Sequence, residues 1–88
     1  MTWNIIWSLT AQKQLQKISR SDEEAAQRIV TKLEDITDNP FGFTDKLHGS
    51  NLRKLRVGVY RVIMSLEEQN VIIFVVEVGH RSKIYNKY

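Results

Sequence analysis

The chain has 88 residues, no cysteine and a formal net charge of +3 at pH 7, with 42% hydrophobic and 26% charged residues. This size and composition predict one globular domain over residues 1–88 and argue against disorder. The lack of cysteine excludes a disulfide framework and a cysteine-based zinc site. No apolar run approaches the roughly 18 residues of a membrane helix, so we expect a soluble, cytoplasmic protein.

The first predicted element is a strand. Residues 2–8 (TWNIIWS) are rich in aromatic and β-branched residues, and apolar positions alternate with polar ones. Trp3 and Trp7 are expected to lie in the core or to cover it, since large aromatic side chains are usually buried.

Two helices are predicted next. Residues 10–19 carry apolar side chains at i, i+4 and i+7 behind Thr10, a candidate N-cap. The stretch SDEE at 21–24 resembles a capping box with Ser21 at the N-cap, and the 3.6-residue period that follows ends before Pro40. The pattern therefore indicates a helical hairpin.

Three further strands are predicted at 52–57, 59–66 and 71–78. Their connections are short, so neighbouring strands should be antiparallel. The predicted fold is α+β: an N-terminal strand, a helical hairpin, then an antiparallel sheet of three further strands with both helices on one face.

Alternation within the last two strands predicts which side chains face the helices. The even-numbered residues should do so: Tyr60, Val62, Met64 and Leu66, then Ile72, Phe74, Val76 and Val78. The opposite face should carry Val59, Arg61, Ile63 and Ser65, then Val71, Ile73, Val75 and Glu77.

Positive charge is concentrated in the second half of the chain. Residues 1–47 carry six basic and seven acidic side chains, whereas residues 48–88 carry seven basic and three acidic ones. Alternation places Lys54, Arg56 and Arg61 on the face away from the helices, with Arg81 beyond the strand end. The pattern is compatible with a solvated sheet face, on which Arg61 pairs with Glu77, and equally with a phosphate-binding patch.

The run from residue 46 to 85 resembles the RelE-type toxins of toxin–antitoxin modules, within the RelE/ParE superfamily. The elements that carry the resemblance are KL.G leading into a basic LR pair, then RVG.YRV, then an apolar strand that ends in GHR..IY. The first half of the chain fits in its order of elements only.

The resemblance implies a ribosome-dependent mRNA endonuclease, or mRNA interferase, that inhibits translation. Its reaction would be attack of a ribose 2′-hydroxyl on the adjacent phosphate. Such a cut needs a base, positive charge for the phosphorane and an acid for the leaving oxygen. The sequence contains no carboxylate pair or metal-ligand cluster, so we expect a hydrolase that uses no metal and no cofactor.

The resemblance also implies residue roles. Arg61 matches the arginine that stabilises the transition state, Arg81 the arginine proposed as acid or charge stabiliser, and Tyr85 the tyrosine that orients the substrate, with stacking on a base as the expected contact. Lys54 and Arg56 match the basic pair. Lys54 is the better candidate base, because a lysine crowded by other cations can lose its proton whereas an arginine stays charged.

Other residues are assigned to binding. Arg53, Arg56 and Lys83 are candidate RNA contacts. The resemblance implies a cognate antitoxin as partner, with DNA bound only through it, and the aliphatics expected to be exposed for that partner are Val59, Ile63, Val71 and Ile73. His80 is predicted to point away from the patch, and no role is predicted for His48.

Two alternatives remain open at this stage. A ParE-like toxin has the same fold and poisons DNA gyrase without nuclease chemistry. The other alternative is a module that binds RNA or protein without catalysis, since no unambiguous general base is visible.

Overall fold

The computed structural model describes residues 2–88 and confirms the predicted α+β architecture. It adds short elements that the sequence patterns do not indicate, including a final helix. The elements in chain order are β1 (Asn4–Trp7), α1 (Leu9–Ser21), α2 (Glu23–Asp35), α3 (Pro40–Phe43), β2 (Asp45–Lys46), β3 (Arg53–Val57), β4 (Tyr60–Glu67), β5 (Ile72–His80) and α4 (Arg81–Lys87).

The helical hairpin forms as predicted, but both caps lie elsewhere. Ser8, not Thr10, caps α1, and its hydroxyl accepts a hydrogen bond from the Ala11 amide at 3.0 Å. Asp22, not Ser21, caps α2 and accepts from the Ala25 amide at 3.1 Å. Each cap satisfies an amide that the helix itself leaves unpaired.

The sheet has five strands in the order β1-β5-β4-β3-β2. All neighbouring pairs are antiparallel except β1 and β5, which run parallel with Asn4 opposite Ile72 and Trp7 opposite Val75. The N-terminal strand thus lies beside the last strand, and β5 is an interior strand rather than an edge.

A β-bulge in β5 overturns part of the predicted alternation. Ile63 pairs with Glu77 while Met64 pairs with Val75, so Val76 is an extra residue without a partner on β4. An extra residue shifts the alternation by one position. The helix-facing side chains of β5 are therefore Ile73, Val75 and Val78, and the prediction of Ile72, Phe74 and Val76 was wrong.

The core lies between the hairpin and one face of the sheet. The helices contribute Ala11, Ile18, Ala25, Ala26, Ile29, Leu33 and Ile36, and the sheet contributes Leu55, Val62, Met64, Ile73, Val75 and Val78. Trp3 and Trp7 pack against this cluster while partly exposed, as predicted. The other face of the sheet, here called the outer face, has no layer of α1 or α2 on it.

Within residues 2–88, no helix has the length and apolar character needed to cross a membrane.

Candidate functional site

Positive side chains lie close together on the outer face of β3 and β4. Arg56 lies directly opposite Arg61, and Lys54 lies opposite Ile63 in the next row. Like charges directly opposite one another destabilise a sheet. An arrangement that accepts this repulsion is typical of a surface that binds an anion.

Arg61 is buried, with only 6% of its surface exposed, and hydrogen bonds hold its guanidinium in place. Its Nη1 donates to the carbonyl oxygens of Gly58 and Tyr60, each at 2.8 Å, and its Nε donates to the Tyr85 hydroxyl at 3.3 Å. An arginine has five N–H donors, so two remain on Nη2. No buried side-chain nitrogen or oxygen within residues 2–88 lacks a partner, which means that Nη2 reaches solvent and is available to a ligand.

Arg61 does not pair with Glu77, which removes the structural alternative for this arginine. Glu77 lies opposite Ile63 instead, and its partners are Lys87 at 2.8 Å, Tyr88 at 2.9 Å and Gln14 at 3.3 Å. The guanidinium is thus positioned by backbone carbonyls and not neutralised by an acid.

The final helix brings Tyr85 to Arg61. His80 caps α4, its Nδ1 accepting from the Ser82 amide at 3.1 Å, and the Arg81 amide donates to the Val59 carbonyl at 2.7 Å. Gly79 permits the close approach, because a Cβ there would meet the Ile84 Cδ1 at 3.3 Å. The residues after β5 were predicted to contribute Tyr85, but not to form a helix.

Tyr85 lies between two cations. Its ring centroid is 5.6 Å from the Lys54 Nζ and 5.7 Å from the Arg61 Cζ, within cation–π range. The hydrogen bond from Arg61 lowers the pKa of the phenol, burial opposes this, and the charges of Arg61, Lys54 and Arg56 lower it further. The ring is 51% exposed, so part of it remains accessible from solvent.

Among residues 2–88, the Arg81 side chain makes no hydrogen bond, ion pair or cation–π contact with this group. Arg81 is the first residue of α4 and is exposed. Since Arg81 and Tyr85 are four residues apart on a helix, their side chains share one face a single turn apart. The structure thus brings together Lys54, Arg61 and Tyr85, with Arg56 and Arg81 alongside. We call Lys54, Arg61 and Tyr85 the Tyr85 site.

Arg53 does not lie on this face, and its guanidinium is occupied. Its Nε donates to the Thr44 hydroxyl and its Nη2 to the Thr44 carbonyl, both at 2.8 Å, while its Cζ lies 5.2 Å from the Phe41 ring centroid. One position away from Lys54, it points to the helix side of the sheet. Its geometry is that of a structural residue that ties α3 to β3, and the prediction of an RNA contact has no support in it.

The expected row of exposed aliphatics is only half correct. Ile63 and Ile73 are both 0% exposed. Ile73 faces the hairpin because of the bulge, and Ile63 lies between Lys54 and Glu77 under the region where α4 packs on β4 and β5. Val59 is 43% exposed and Val71 is partly exposed.

The two histidines take no part in the Tyr85 site. The His80 ring packs edge-on against Tyr60, with 6.1 Å between the ring centroids, on the other side of the sheet. His48 is exposed in the turn before β3. Both observations agree with the sequence-based expectation.

Sequence reasoning missed the contacts that fasten α4. Burial is the strongest influence on the Glu77 carboxyl and would raise its pKa, but hydrogen bonds from Lys87, Tyr88 and Gln14 outweigh it and lower that pKa. Burial, together with the bond to Glu77, raises the pKa of Tyr88 to about 12. An acid in an otherwise apolar strand, followed by a basic and aromatic C-terminus, was the available signal.

The sequence matches known toxins. The family described as "ParE toxin of type II toxin-antitoxin system, parDE" matches residues 5–85. A protein from Methanocaldococcus jannaschii described as "Putative toxin RelE4" is 32% identical over 78 residues, which are 85% of this chain and 82% of that protein.

Solved structures share the fold. The toxin–antitoxin complex RelBE2 from Mycobacterium tuberculosis contains a chain that matches with a TM-score of 0.82 at 18% identity, covering 92% of this chain and 100% of that chain. The archaeal RelE–RelB complex from Pyrococcus horikoshii matches with a TM-score of 0.76 at 23% identity, covering 94% and 99%. At these identities the likeness shows a common fold alone.

Proposed function

Since the chain belongs to the ParE toxin family of type II toxin–antitoxin systems, within the RelE/ParE superfamily, we propose that it is a toxin that cuts messenger RNA on the ribosome. The observation that supports this most directly is the convergence of Lys54, Arg61 and Tyr85 from three different elements. A sheet face that only contacts solvent does not require such a convergence.

The proposed reaction is an internal transfer at phosphorus. The ribose 2′-oxygen loses its proton to Lys54 and attacks the adjacent phosphorus, while the bond from phosphorus to the 5′-oxygen breaks. The products are a 2′,3′-cyclic phosphate and a 5′-hydroxyl that has taken up a proton. No atom outside the RNA and the general acid and base is required.

Arg61 is proposed to stabilise the phosphorane. Its free Nη2 would donate to a non-bridging oxygen, and its other three donors are already engaged, so the guanidinium need not reorganise as charge develops. Tyr85 would stack on a base next to the cut. Arg81, one turn away on α4, is proposed as the general acid that gives its proton to the leaving 5′-oxygen.

A cognate antitoxin is the proposed partner. The matched structures from Mycobacterium tuberculosis and Pyrococcus horikoshii are toxin–antitoxin complexes, which supports an antitoxin for this chain also. Val59 and Val71 remain candidates for its contact surface, since both are at least partly exposed.

The test is to express the chain and map mRNA ends in translating cells. Codon-phased breaks should appear with the wild type and disappear with Arg61→Ala and with Tyr85→Ala. Arg28→Ala is the matched control, because Arg28 is exposed on α2 and does not belong to the Tyr85 site. Loss of one oriented donor to a developing negative charge costs about 10²–10³ in rate. Breaks that persist at full level in both site variants would rule out the proposed roles.

The name of the matching family supports a second candidate, inhibition of DNA gyrase. In that case the same cells would show double-strand DNA breaks and intact mRNA. If DNA and mRNA both stay intact, a binding module without catalysis is the remaining interpretation.

A further inference from the structure

In two helices of this protein, all the charged side chains are positive. Neither α1 nor α4 contains an aspartate or glutamate, whereas α2 has four acids against two bases. The basic residues of α1 and α4 are Lys13, Lys17, Arg20, Arg81, Lys83 and Lys87. All six are exposed. The basic charge of α1 is hidden in the total for the first half of the chain, because α2 and the loops after it are acidic.

Glu77 of β5 joins these two helices. Gln14 of α1 and Lys87 of α4 both donate to the same oxygen, Oε1 of Glu77, at 3.3 Å and 2.8 Å. Between the helices runs a groove of about 490 Å³, with Lys17 on one wall and Lys83 on the other. We call this groove with its rims the α1–α4 surface.

The charges on the rims lie in rows. Lys13, Lys17 and Arg20 follow each other at i, i+4 and i+7, so they form one stripe with steps of roughly 6 Å and 4.5 Å along the helix axis. Lys83 and Lys87 are likewise one turn apart on α4. Lys87 is neutralised by Glu77, which leaves Lys17 and Lys83 as the charges that face each other across the groove.

This surface is separate from the Tyr85 site. Arg81 and Tyr85 share one face of α4, whereas Lys83 and Lys87 lie about half a turn further round the helix. The α1–α4 surface also differs in chemistry. Of its apolar lining residues, Ile18, Val78 and Ile84 are buried and Tyr60 is partly exposed, so the groove offers a partner mainly its charged rims.

We propose that the α1–α4 surface binds the phosphate backbone of folded RNA and holds it while the Tyr85 site acts on a single strand. Rows of exposed lysine and arginine suit contacts that follow charge and not base identity. The inference rests on the proposed function only in taking RNA as the polyanion.

The test measures binding of the full chain to a fluorescent RNA hairpin at several salt concentrations. The variant Lys17→Gln/Lys83→Gln removes the two facing charges. The control Arg28→Gln/Lys32→Gln removes two charges from α2, where Glu24 and Asp35 border them. The slope of log affinity against log salt should become shallower by about 2 in the first variant, roughly 1 per lost phosphate contact, and stay unchanged in the control.

Other results would overturn the proposal. If both variants change the slope equally, the effect is one of net charge and not of this surface. If Lys17→Gln/Lys83→Gln loses binding to polyglutamate but keeps its slope on RNA, the surface serves an acidic protein segment.

The same assay separates this inference from the cleavage proposal. Tyr85→Ala should keep the hairpin slope, since the uncharged ring makes no ionic contact with a phosphate, while it loses mRNA cleavage. Absence of cleavage in the wild type together with the slope change in Lys17→Gln/Lys83→Gln would refute the nuclease and leave the RNA-binding surface standing. Cleavage by the wild type without a slope change in Lys17→Gln/Lys83→Gln would refute the RNA-binding surface and leave the nuclease proposal standing.

Discussion

Arg56 on β3 and Arg61 on β4 are direct cross-strand neighbours on the outer face. Arg61 is buried and fixed by two carbonyls and a phenol, whereas Arg56 is exposed. Two like charges in this position work against folding. Their retention next to Lys54 and Tyr85 is what distinguishes the patch from an ordinary solvated sheet.

Replacing Arg56 should therefore make the protein more stable and a weaker RNA binder. For Arg56→Thr we expect the free energy of unfolding to rise by about 0.5 kcal/mol, because the repulsion disappears and threonine suits a strand. Urea denaturation and RNA binding measure the two effects.

A matched control is available in the same strand. Arg53→Thr should lower the free energy of unfolding by about 1–3 kcal/mol, because it leaves the Thr44 carbonyl and hydroxyl without their donor. A loss of stability in Arg56→Thr comparable to that in Arg53→Thr would show that the repulsion has no energetic weight.

Tyr85 should act through its ring more than through its hydroxyl. Base stacking on an aromatic ring is worth about 1–3 kcal/mol, so Tyr85→Ala should slow cleavage roughly ten- to a hundredfold. Tyr85→Phe keeps the ring and loses only the bond from Arg61, so it should retain most of the wild-type cleavage rate. Equal rates for the two variants, measured as mRNA cleavage on ribosomes, would contradict a stacking role.

The Tyr85 phenol should titrate below the ordinary tyrosine range. The bond from Arg61 is the main cause, with the charges of Lys54 and Arg56 adding to it. In Lys54→Met the pKa of Tyr85 should move back up, while that of Tyr88 stays where it is, since Tyr88 is bonded to Glu77. NMR titration of the tyrosine rings measures both, and an unmoved Tyr85 would show that Lys54 exerts no field there.

Attachment of α4 should weaken at high pH. The pKa of Tyr88 is raised from 10.0 to about 12 in the folded protein, so its contribution to stability is complete below pH 10 and is lost as pH rises through 12. Because Tyr88 is 45% exposed, solvent screening reduces the effect to the order of 1 kcal/mol. Tyr88→Phe should abolish this part of the alkaline decline, as followed by urea denaturation at several pH values. An unchanged decline in that variant would mean that another group is responsible.

Val71 is a site where a substitution should stabilise the fold. It has a positive φ of 56°, which for a β-branched residue costs about 1–2 kcal/mol. Asparagine tolerates this conformation, so Val71→Asn should raise the free energy of unfolding by about 1 kcal/mol. Val59→Asn, at an exposed position with no positive φ, is the control that should bring no gain in thermal denaturation.

Much of the fold could be predicted from local patterns. The periods of 3.6 residues in the hairpin and of two residues in β3 and β4 reflect which face is buried, so the helix-facing set from Tyr60 to Leu66 was correct. The predicted capping residues were wrong by one or two positions, since Thr10 and Ser21 have Ser8 and Asp22 close by, which can cap equally well.

The two failures have different causes. The bulge at Val76 depends on how β5 pairs with β4. The periodic pattern of the sequence gives no sign of it. This single residue reversed the faces of Ile72, Ile73 and Phe74. Arg53 is a different case: alternation along β3 already places it and Lys54 on opposite faces, so its grouping with Lys54 as an RNA contact did not follow from the pattern.

The sequence by itself determined the order of elements, the hydrophobic faces of the hairpin and of β4, and the motifs that connect the chain with RelE-type toxins, because these are written in neighbouring residues. Only the tertiary structure decided that α4 folds back to carry Tyr85 onto Lys54 and Arg61, and that α1 and α4 share one basic groove. Charges brought together from distant parts of a chain act through their distance in space, and that distance is set by strand register and packing.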